Sequence, residues 1–141
     1  MAEFYVSLPE KEIARQVAEM VNRYNGWYTS FSAYSLMRTQ GRYFVETYGD
    51  KVVACVGTNK EYPTLSKLFH ICVLPEYRKR RLASKLVELA IASCDTEHVY
   101  MTIREDNVHS LRMAESLGFT FIRSMWFIDH NTHTLARRRE R

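Results

Sequence analysis

An apolar segment that leads directly into a cluster of basic residues most constrains how this chain can fold. Residues 65–73 are rich in apolar and β-forming side chains, and Pro75 ends the segment. From Arg78 to Cys94 apolar residues recur at the spacing of one helix face. A strand, a turn and a helix therefore follow one another, which is typical of folds that mix helices with a sheet.

The turn before this helix carries four consecutive basic residues, Arg78 to Arg81. A helix N-terminus has partial positive charge, so each cation placed there costs about 0.3–1 kcal/mol. No Ser, Thr, Asp or Asn stands at the expected cap position. A phosphate or pyrophosphate bound at the helix start would account for both features. The alternative is a solvated basic turn.

The remaining excess of positive charge lies near the end of the sequence. The 141-residue chain has a net charge of +4, and residues 137–141 contain four arginines interrupted by Glu140. Without those five residues and the Arg78–Arg81 run, twelve basic and fifteen acidic residues remain, a net charge of −3. A uniformly basic coat for nucleic acid is therefore not expected. We predict one domain over residues 1–134 and a basic, solvated tail over residues 135–141.

Several classes of protein are disfavoured by the sequence. Cys55, Cys72 and Cys94 lie in separate apolar runs, which predicts buried free thiols in a reducing compartment. No cysteine pair has zinc-finger spacing, and the two histidines of residues 129–133 lack a third ligand, so no metal site is predicted. No apolar stretch approaches the roughly 18–20 residues of a membrane span, and the start lacks the features of a secretory signal. A cytoplasmic protein without a membrane segment is expected.

The order of predicted elements indicates a mixed sheet. Apolar spacing and turn residues predict a strand, a helix, a short helix, three strands, a helix, a strand, a helix and one or two closing strands. The predicted ranges are 3–7, 9–24, 31–38, 43–48, 51–56, 65–73, 78–94, 98–103, 108–117 and 119–128. The fold class is therefore α/β or α+β, with helices on both faces of the sheet.

Two segments carry a longer pattern. The run "VLPEYRKRRLASKL" contains a strand that ends in the pattern Val-x-Pro-x-Tyr. A basic turn follows, with Arg78 directly after the tyrosine and Ala83 five residues after Arg78. After the next strand, residues 107–110 and 115–119 read Asn-x-x-Ser and Glu-Ser-Leu-Gly-Phe. Together, and with the hairpin "YGDKVVACVG", these segments resemble the acetyl-CoA-binding motifs of the GCN5-related N-acetyltransferase (GNAT) family over about residues 3–128.

The resemblance implies a fold and a cofactor site. The sheet would be mostly antiparallel, with residues 65–73 and 98–103 splayed apart around acetyl-CoA. The pyrophosphate would lie on the backbone N–H groups of the basic turn, the pantetheine arm along the first of these strands, and Asn107 near the thiol end. The cofactor-binding residues implied are Ile71, Cys72, Val73, Arg78, Lys79, Arg80, Arg81, Leu82, Ala83, Ser84 and Asn107. An amine would attack the thioester directly, without a covalent enzyme intermediate.

The sequence departs from the family pattern at catalytically important positions. Arg81 replaces the middle glycine of the phosphate loop, and Ala114 stands where many members carry a tyrosine that protonates the thiolate. Lys67, Phe69 and Thr102 occupy positions where relatives have an acidic or histidine base. Binding of the cofactor is therefore better supported than any particular general base.

Two residues remain as candidate general bases, His70 and Glu46. A histidine titrates near neutrality, but strict alternation along the strand turns His70 away from the pocket unless a bulge re-aims it. Glu46 lies on the predicted hairpin, and deprotonation through water is the alternative to both residues.

An aromatic segment between the first helix and the hairpin occupies the place where the family binds its acceptor. Its candidate substrate-binding residues are Trp27, Tyr28, Phe31 and Tyr34, and a small satellite core is the alternative reading. The acceptor would be a primary amine of unknown identity, and the protein a monomer or homodimer. Two other functions stay open: a GNAT-fold enzyme brought to nucleic acid or aminoacyl-tRNA by its arginines, and a catalytically inactive CoA-binding module.

Overall fold

The computed structural model describes residues 2–4, 8–24, 31–38 and 41–139, and within these ranges seven strands form one sheet. The strands are β1 Ala2–Phe4, β2 Gly41–Tyr48, β3 Lys51–Tyr62, β4 Leu65–Val73, β5 His98–Arg104, β6 Thr120–Phe127 and β7 His130–Arg138. The α-helices are α1 Glu10–Tyr24, α2 Ala33–Met37, α3 Leu82–Ser93 and α4 Val108–Ser116, and a 3₁₀ turn spans Pro75–Tyr77. The predicted order of elements is confirmed as far as β6, but the last strand, β7, lies beyond the predicted closing range of 119–128.

The sheet is mixed and mostly antiparallel, with strand order β1-β2-β3-β4-β5-β7-β6. Its parallel pairs are β1 with β2 and β4 with β5. The β4–β5 pairing is short, because it joins only Leu65–Lys67 to His98–Tyr100. Beyond these residues β4 stays paired with β3 and β5 stays paired with β7. The two strands therefore diverge towards their C-terminal ends, as the resemblance implied.

The helices cover the sheet from two sides, which confirms the predicted fold class. α1 places Ile13, Val17 and Val21 in a core with the side chains of Tyr43 and Cys72. α3 and α4 cover the other face, where the buried side chains include Val53, Val56, Leu68, Leu86, Val87, Met101, Ala114 and Leu135. Burying one aliphatic side chain stabilises the fold by about 1.5–3 kcal/mol, so each helix is fixed chiefly by its apolar face.

The helix after the basic turn begins later than predicted. We expected helical residues from about Arg78, but α3 starts at Leu82 after a 3₁₀ turn. Lys79 and Arg81 have left-handed backbone conformations, with φ of 65° and 58°. A left-handed residue cannot belong to a right-handed helix, and apolar spacing in a sequence carries no information about φ.

The expectation of a solvated tail over residues 135–141 is wrong for residues 135–138, which form the end of β7. Leu135 is buried in the core between the sheet and α3. The guanidinium of Arg137 donates to Leu117 O at 2.8 Å and pairs with Glu88 at 3.2 Å. Arg139 donates from Nε to Thr96 O at 2.8 Å. Arg137 and Arg139 donate hydrogen bonds to carbonyl groups of the fold, so their charge does not indicate disorder.

The three cysteines are free thiols, as predicted. Cys55 and Cys72 are buried, whereas Cys94 is half-buried. Burial raises the pKa of Cys72 to about 11, so this thiol is protonated and unreactive at neutral pH. No helix in the described part of the chain is long and apolar enough to cross a membrane.

Candidate functional site

The gap between β4 and β5 is lined by the backbone edge of β4. Leu74 donates its N–H to Val53 O on β3 at 2.9 Å, so the polar groups of Leu74 face β3. Because backbone groups alternate in direction along a strand, those of Val73 and Ile71 face the gap. Cys72 pairs with Cys55 on β3. Of the three strand residues implied for the cofactor, Ile71 and Val73 thus present their backbone to the gap.

The N-terminus of α3 follows the C-terminal end of β4 after the 3₁₀ turn, and it has no side-chain cap from the described residues. Its N-cap residue is Arg81, with φ 58° and ψ 24°, and the Arg81 side chain is exposed. Glycine adopts this conformation at no steric cost, whereas an arginine is strained in it. Arg81 therefore keeps the left-handed conformation despite replacing the family's glycine. The amides of Leu82, Ala83 and Ser84 form the first turn of α3.

The four basic residues of the turn are exposed, and two of them lie beside aromatic rings. The guanidinium of Arg78 lies 5.8 Å from the Tyr24 ring centre, and that of Arg80 lies 5.2 Å from the Tyr77 ring centre. Arg78 also donates from Nε to Val73 O at 3.1 Å. Among the carboxylates that the structure describes, none forms an ion pair with these cations. Uncompensated cations around an uncapped helix start fit a pyrophosphate group.

His70 is re-aimed by a bulge in β4. The β3–β4 register shifts between Cys55 and Gly57, opposite His70, which has a φ of 52°. The ring of Phe69 lies 5.7 Å from that of Tyr43, and His70 Nδ1 lies 2.9 Å from Tyr43 Oη. Consecutive residues of the strand thus point to the same face, which is the face covered by α1. β4 therefore contains a bulge at His70, which turns this side chain towards Tyr43.

The environment of His70 keeps its imidazole neutral. The residue is 8% exposed, and the ring of Phe31 packs edge-on at 4.7 Å. Burial lowers the pKa of His70 to about 4, and the charge of Lys67 contributes to the same shift. At physiological pH the unprotonated ring shares a hydrogen bond with Tyr43 and lies beside an aromatic side chain.

Gly57 permits the close packing that holds this histidine. A Cβ atom at Gly57 would lie 2.7 Å from Cε2 of Phe69 and 2.9 Å from Cε1 of Tyr43. Both rings cross β3 where this residue has no side chain, so a larger residue would displace them. The position of Tyr43, and through it the hydrogen bond to His70, depends on this glycine.

Glu46 lies on the opposite face of the sheet from His70. Its carboxylate forms an ion pair with Lys85 of α3, with Nζ–Oε2 at 3.2 Å. The neighbouring Val45 packs in the α1-side core, and alternation along β2 therefore turns Glu46 towards α3. The structure does not bring the two candidate bases together.

The predicted acceptor residues are only partly within the described chain. Phe31 contacts His70, and its backbone is held by Asn22, whose side chain donates to Phe31 O at 2.7 Å and accepts from Phe31 N at 2.8 Å. Tyr34 is 69% exposed on α2 and receives a hydrogen bond from Arg38 at 3.2 Å. Trp27 and Tyr28 lie outside the described residues.

The other family positions have structural roles. Asn107 caps α4, with its Oδ1 accepting the Ser110 N–H at 3.2 Å. Ala114 is a fully buried residue of α4, and its methyl side chain cannot donate a proton. Thr102 is exposed on β5, between the buried side chains of Met101 and Ile103.

A cluster of three polar side chains lies where the pairing of β4 and β5 ends, and the sequence does not predict it. Tyr100 Oη donates to the carboxylate of Glu61, with both Oε atoms at 2.8 Å, and Lys67 Nζ lies 5.9 Å above the Tyr100 ring. Burial, and then the hydrogen bond to Glu61, raise the pKa of Tyr100. Lys67 and Tyr100 are register partners across the last β4–β5 pair. The three residues meet through strand register, which no spacing in the sequence reveals.

The chain was compared with protein families and with solved structures. Residues 8–119 match the model of the acetyltransferase (GNAT) family. The ribosomal-protein-S18-alanine N-acetyltransferase from Escherichia coli is 19% identical, with a TM-score of 0.76 over 96% of this chain and 93% of that chain. Ard1 from Thermoplasma volcanium is 16% identical, with a TM-score of 0.81 over 96% and 97% of the two chains.

A third solved structure holds a cofactor. The yncA protein of Salmonella typhimurium with its cofactor acetyl-CoA is 14% identical to this chain, with a TM-score of 0.79 over 95% of this chain and 92% of that chain. At these identities the likeness concerns the fold. A search of curated proteins found no match. The family model covers well over half of the sequence, and the chain belongs to the acetyltransferase (GNAT) family.

Proposed function

We propose that this protein is an N-acetyltransferase that moves the acetyl group of acetyl-CoA to a primary amine. The observation that carries this proposal is the start of α3, which follows the end of β4 that diverges from β5 and has four cations beside it; among the described residues it has no side-chain cap, and these cations have no acidic partner. A long cofactor with an anionic middle and a reactive thioester end matches this arrangement. The presence of acetyl-CoA in a structure of the same fold supports the choice of cofactor.

The chain offers separate groups to separate parts of the cofactor. The pyrophosphate would accept hydrogen bonds from backbone amides between Lys79 and Ser84, with Arg78 and Arg80 supplying positive charge. The backbone of Ile71 and Val73 would face the pantetheine arm inside the gap. When bound, acetyl-CoA supplies an activated acyl group, and the protein supplies orientation and proton transfer.

The reaction needs one proton removed and one delivered. The amine nitrogen forms a bond to the acetyl carbon as the C–S bond breaks, so the amine loses a proton and the sulfur gains one. We assign proton removal to His70, directly or through a water molecule, with Tyr43 positioning the ring. Burial lowers the pKa of His70 to about 4, so the ring is neutral at physiological pH and can accept a proton, but it is a weaker base than a solvated histidine. Because alanine at position 114 has no ionisable group, water delivers the proton to sulfur.

Glu46 is the weaker candidate for the base, because its carboxylate is paired with Lys85 on the other face of the sheet. Phe31, beside His70, and the exposed Tyr34 form part of the acceptor site, and Trp27 and Tyr28 remain predictions for the same site. The amine belongs to a small molecule, a peptide or a protein. Three free thiols suit a reducing compartment, which supports a cytoplasmic location.

The structure lessens the case for a nucleic-acid substrate. That case depended on a free basic tail, but Arg137 and Arg139 donate to carbonyls of Leu117 and Thr96. An assay of acetyl-CoA turnover distinguishes an inactive CoA-binding module from an enzyme.

The test is the release of free thiol from acetyl-CoA with a panel of amines, comprising polyamines, aminoglycosides and peptide N-termini. We expect release with at least one of these amines. His70→Asn should lower kcat by about 10²- to 10⁴-fold. The matched control is His98→Asn, an exposed histidine at the start of β5, which should leave kcat unchanged. Binding of acetyl-CoA without thiol release from any amine would instead identify an inactive module.

A further inference from the structure

Lys67 is a half-buried cation for which the proposed transfer chemistry has no role. It pairs with Tyr100 of β5 at the last register position before β4 and β5 diverge, and with Asn59 of β3 on its other side. Both of these neighbours are uncharged. In the part of the chain that the structure describes, no carboxylate forms an ion pair with Lys67. Its positive charge is therefore left without a partner at the base of the gap.

Lys67 lies on the same face of the sheet as His70. Alternation along β4 gives Lys67 the orientation of Phe69, whose ring packs against Tyr43 in the α1-side core. The bulge in β4 turns His70 to this face as well. Phe31, which belongs to the proposed acceptor site, contacts His70 there. Lys67 is thus on the acceptor side of the sheet.

Glu61 is an acidic residue near Lys67, but Tyr100 holds its carboxylate. Tyr100 Oη donates to both Oε atoms of Glu61 at 2.8 Å. Lys67 Nζ lies 5.9 Å from the centre of the Tyr100 ring, which is a cation–π distance. The hydroxyl of Tyr100 therefore engages the anion while its ring supports the cation, and Tyr100 is a positioning residue for Lys67.

Arg123 is a second cation near this tyrosine. Burial and the hydrogen bond to Glu61 raise the pKa of Tyr100, and the positive charge of Arg123 opposes that shift. Arg123 is exposed on β6, and no carboxylate among the described residues forms an ion pair with it. We call Lys67, Tyr100, Glu61 and Arg123 the Tyr100 cluster. Its two cations outnumber its one anion, so the cluster has an excess of positive charge.

The charge of the Tyr100 cluster constrains which amines can approach His70. A primary amine is itself a cation at neutral pH, so an uncompensated positive charge beside the base disfavours its binding. A polyamine would meet the greatest repulsion. A carboxylate on the acceptor would cancel this repulsion and give Lys67 a charge-assisted hydrogen bond.

We propose that Lys67 binds a carboxylate of the acceptor while the acceptor's amine lies at His70. The two residues are three positions apart on β4, so their Cα atoms are separated by at most about 10 Å. A free amino acid offers a carboxylate next to its amine, and a peptide N-terminus followed by an acidic residue offers one a few ångströms further away. This inference rests on the proposed acetyl transfer, because it specifies the acceptor of that reaction.

The test compares acceptors that differ only in this charge. Alanine and alaninamide differ in the α-carboxylate, whereas the amides of alanyl-glutamate and alanyl-glutamine differ in a side-chain carboxylate. We expect kcat/KM to be about 10- to 100-fold higher for the carboxylate in at least one pair, and that pair identifies its source. Lys67→Gln should abolish the preference. The matched control is Lys60→Gln, at an exposed lysine of β3 that pairs with Asp95, which should retain it.

Calorimetric binding of the same four compounds to the unmodified, CoA-saturated protein separates recognition from chemistry and needs no variant. Tighter binding of a carboxylate without thiol release would support the role of Lys67 and refute the proposed transferase. Thiol release at equal rates within both pairs would retain the transferase and overturn the role of Lys67. Faster transfer to a polyamine than to either carboxylate would also overturn it, as would a carboxylate preference that persists in Lys67→Gln.

Discussion

Replacing Arg81 with glycine separates two costs that this residue imposes on the start of α3. Arg81 is the N-cap residue, its φ is 58°, and its side chain is exposed. The first cost is the left-handed backbone, and the second is a cation at the positive end of a helix. Both are present in the unliganded protein, and a bound anion offsets only the second.

The expected gain in stability follows from these terms. A left-handed residue with a Cβ atom costs about 1–2 kcal/mol, and a cation at the first turn costs about 0.3–1 kcal/mol. Glycine also makes the unfolded chain more flexible, and this reduces the gain in stability by about 0.5–1 kcal/mol. Arg81→Gly should therefore stabilise the protein by about 1 kcal/mol, which raises Tm by about 3 °C for a domain of this size.

Thermal and urea unfolding of three variants measures each term. Arg81→Ala removes the cation but keeps the left-handed strain, so it should gain only about 0.3–1 kcal/mol. Arg80→Gly removes a neighbouring cation where φ is not positive, so it should be neutral or destabilising by up to about 1 kcal/mol. Saturating acetyl-CoA should stabilise Arg81→Gly less than the unmodified protein, because the variant has lost a cation near the phosphates.

The reasoning is refuted if Arg81→Gly is no more stable than Arg81→Ala. That result would mean that the left-handed conformation of Arg81 carries no strain to relieve.

Three further predictions concern the packing around His70. Since burial lowers its pKa from about 6.5 in the unfolded chain to about 4 in the fold, the unfolded chain binds the proton first on acidification. The stability that depends on neutral His70 is fully present above about pH 6.5 and falls by up to about 3 kcal/mol towards pH 4. In urea unfolding, His70→Asn should reduce this fall in the free energy of unfolding at acidic pH. An unchanged fall would contradict the lowered pKa of His70. Tyr43→Phe should cost about 1–3 kcal/mol because Nδ1 of His70 loses its partner, whereas Tyr62→Phe, at an exposed tyrosine, should cost nothing measurable. Gly57→Ala should cost about 1–3 kcal/mol through displacement of Phe69 and Tyr43, and a nuclear magnetic resonance spectrum with unshifted ring signals would argue against it.

The regular elements were predictable from local chemistry. α1 carries apolar residues at helical spacing between Pro9 and Asn25, and β4 was predicted with its observed bounds of Leu65–Val73. The hairpin turn at Gly49 has the φ of 62° that glycine supplies. These features depend on neighbours in sequence, which is the information that periodicity and turn residues carry.

Features that depend on the backbone path or on distant residues were not predictable. Two left-handed residues, Lys79 and Arg81, delay the start of α3, and basic side chains do not indicate positive φ. The arginine run near the end of the sequence indicates a tail, because the acceptors of these arginines, such as Leu117 O, become their neighbours only through the sheet. The orientation of His70 was an open alternative, because the bulge depends on how β4 pairs with β3.

The candidate site likewise has some residues that the sequence identifies and some residue pairs that it does not. The cofactor turn is continuous in sequence, so its residues could be named. Tyr43 is 27 residues from His70, and Glu61 is 39 residues from Tyr100. Such pairs are set by strand register, and a single sequence contains no signal for them.

The central claim is that the α3 N-terminus and its cations bind the pyrophosphate of acetyl-CoA, and calorimetric titration tests it most directly. We expect saturable binding that weakens by at least about 100-fold in the double variant Arg78→Ala/Arg80→Ala, because two charge-assisted contacts of about 1.5–3 kcal/mol each are lost. Lys11→Ala, which removes an exposed cation from α1, should leave the affinity unchanged. S-acetylpantetheine, which lacks the pyrophosphate, should bind weakly and equally to all three proteins. Equal affinity of the unmodified protein and the double variant for acetyl-CoA would contradict the claim.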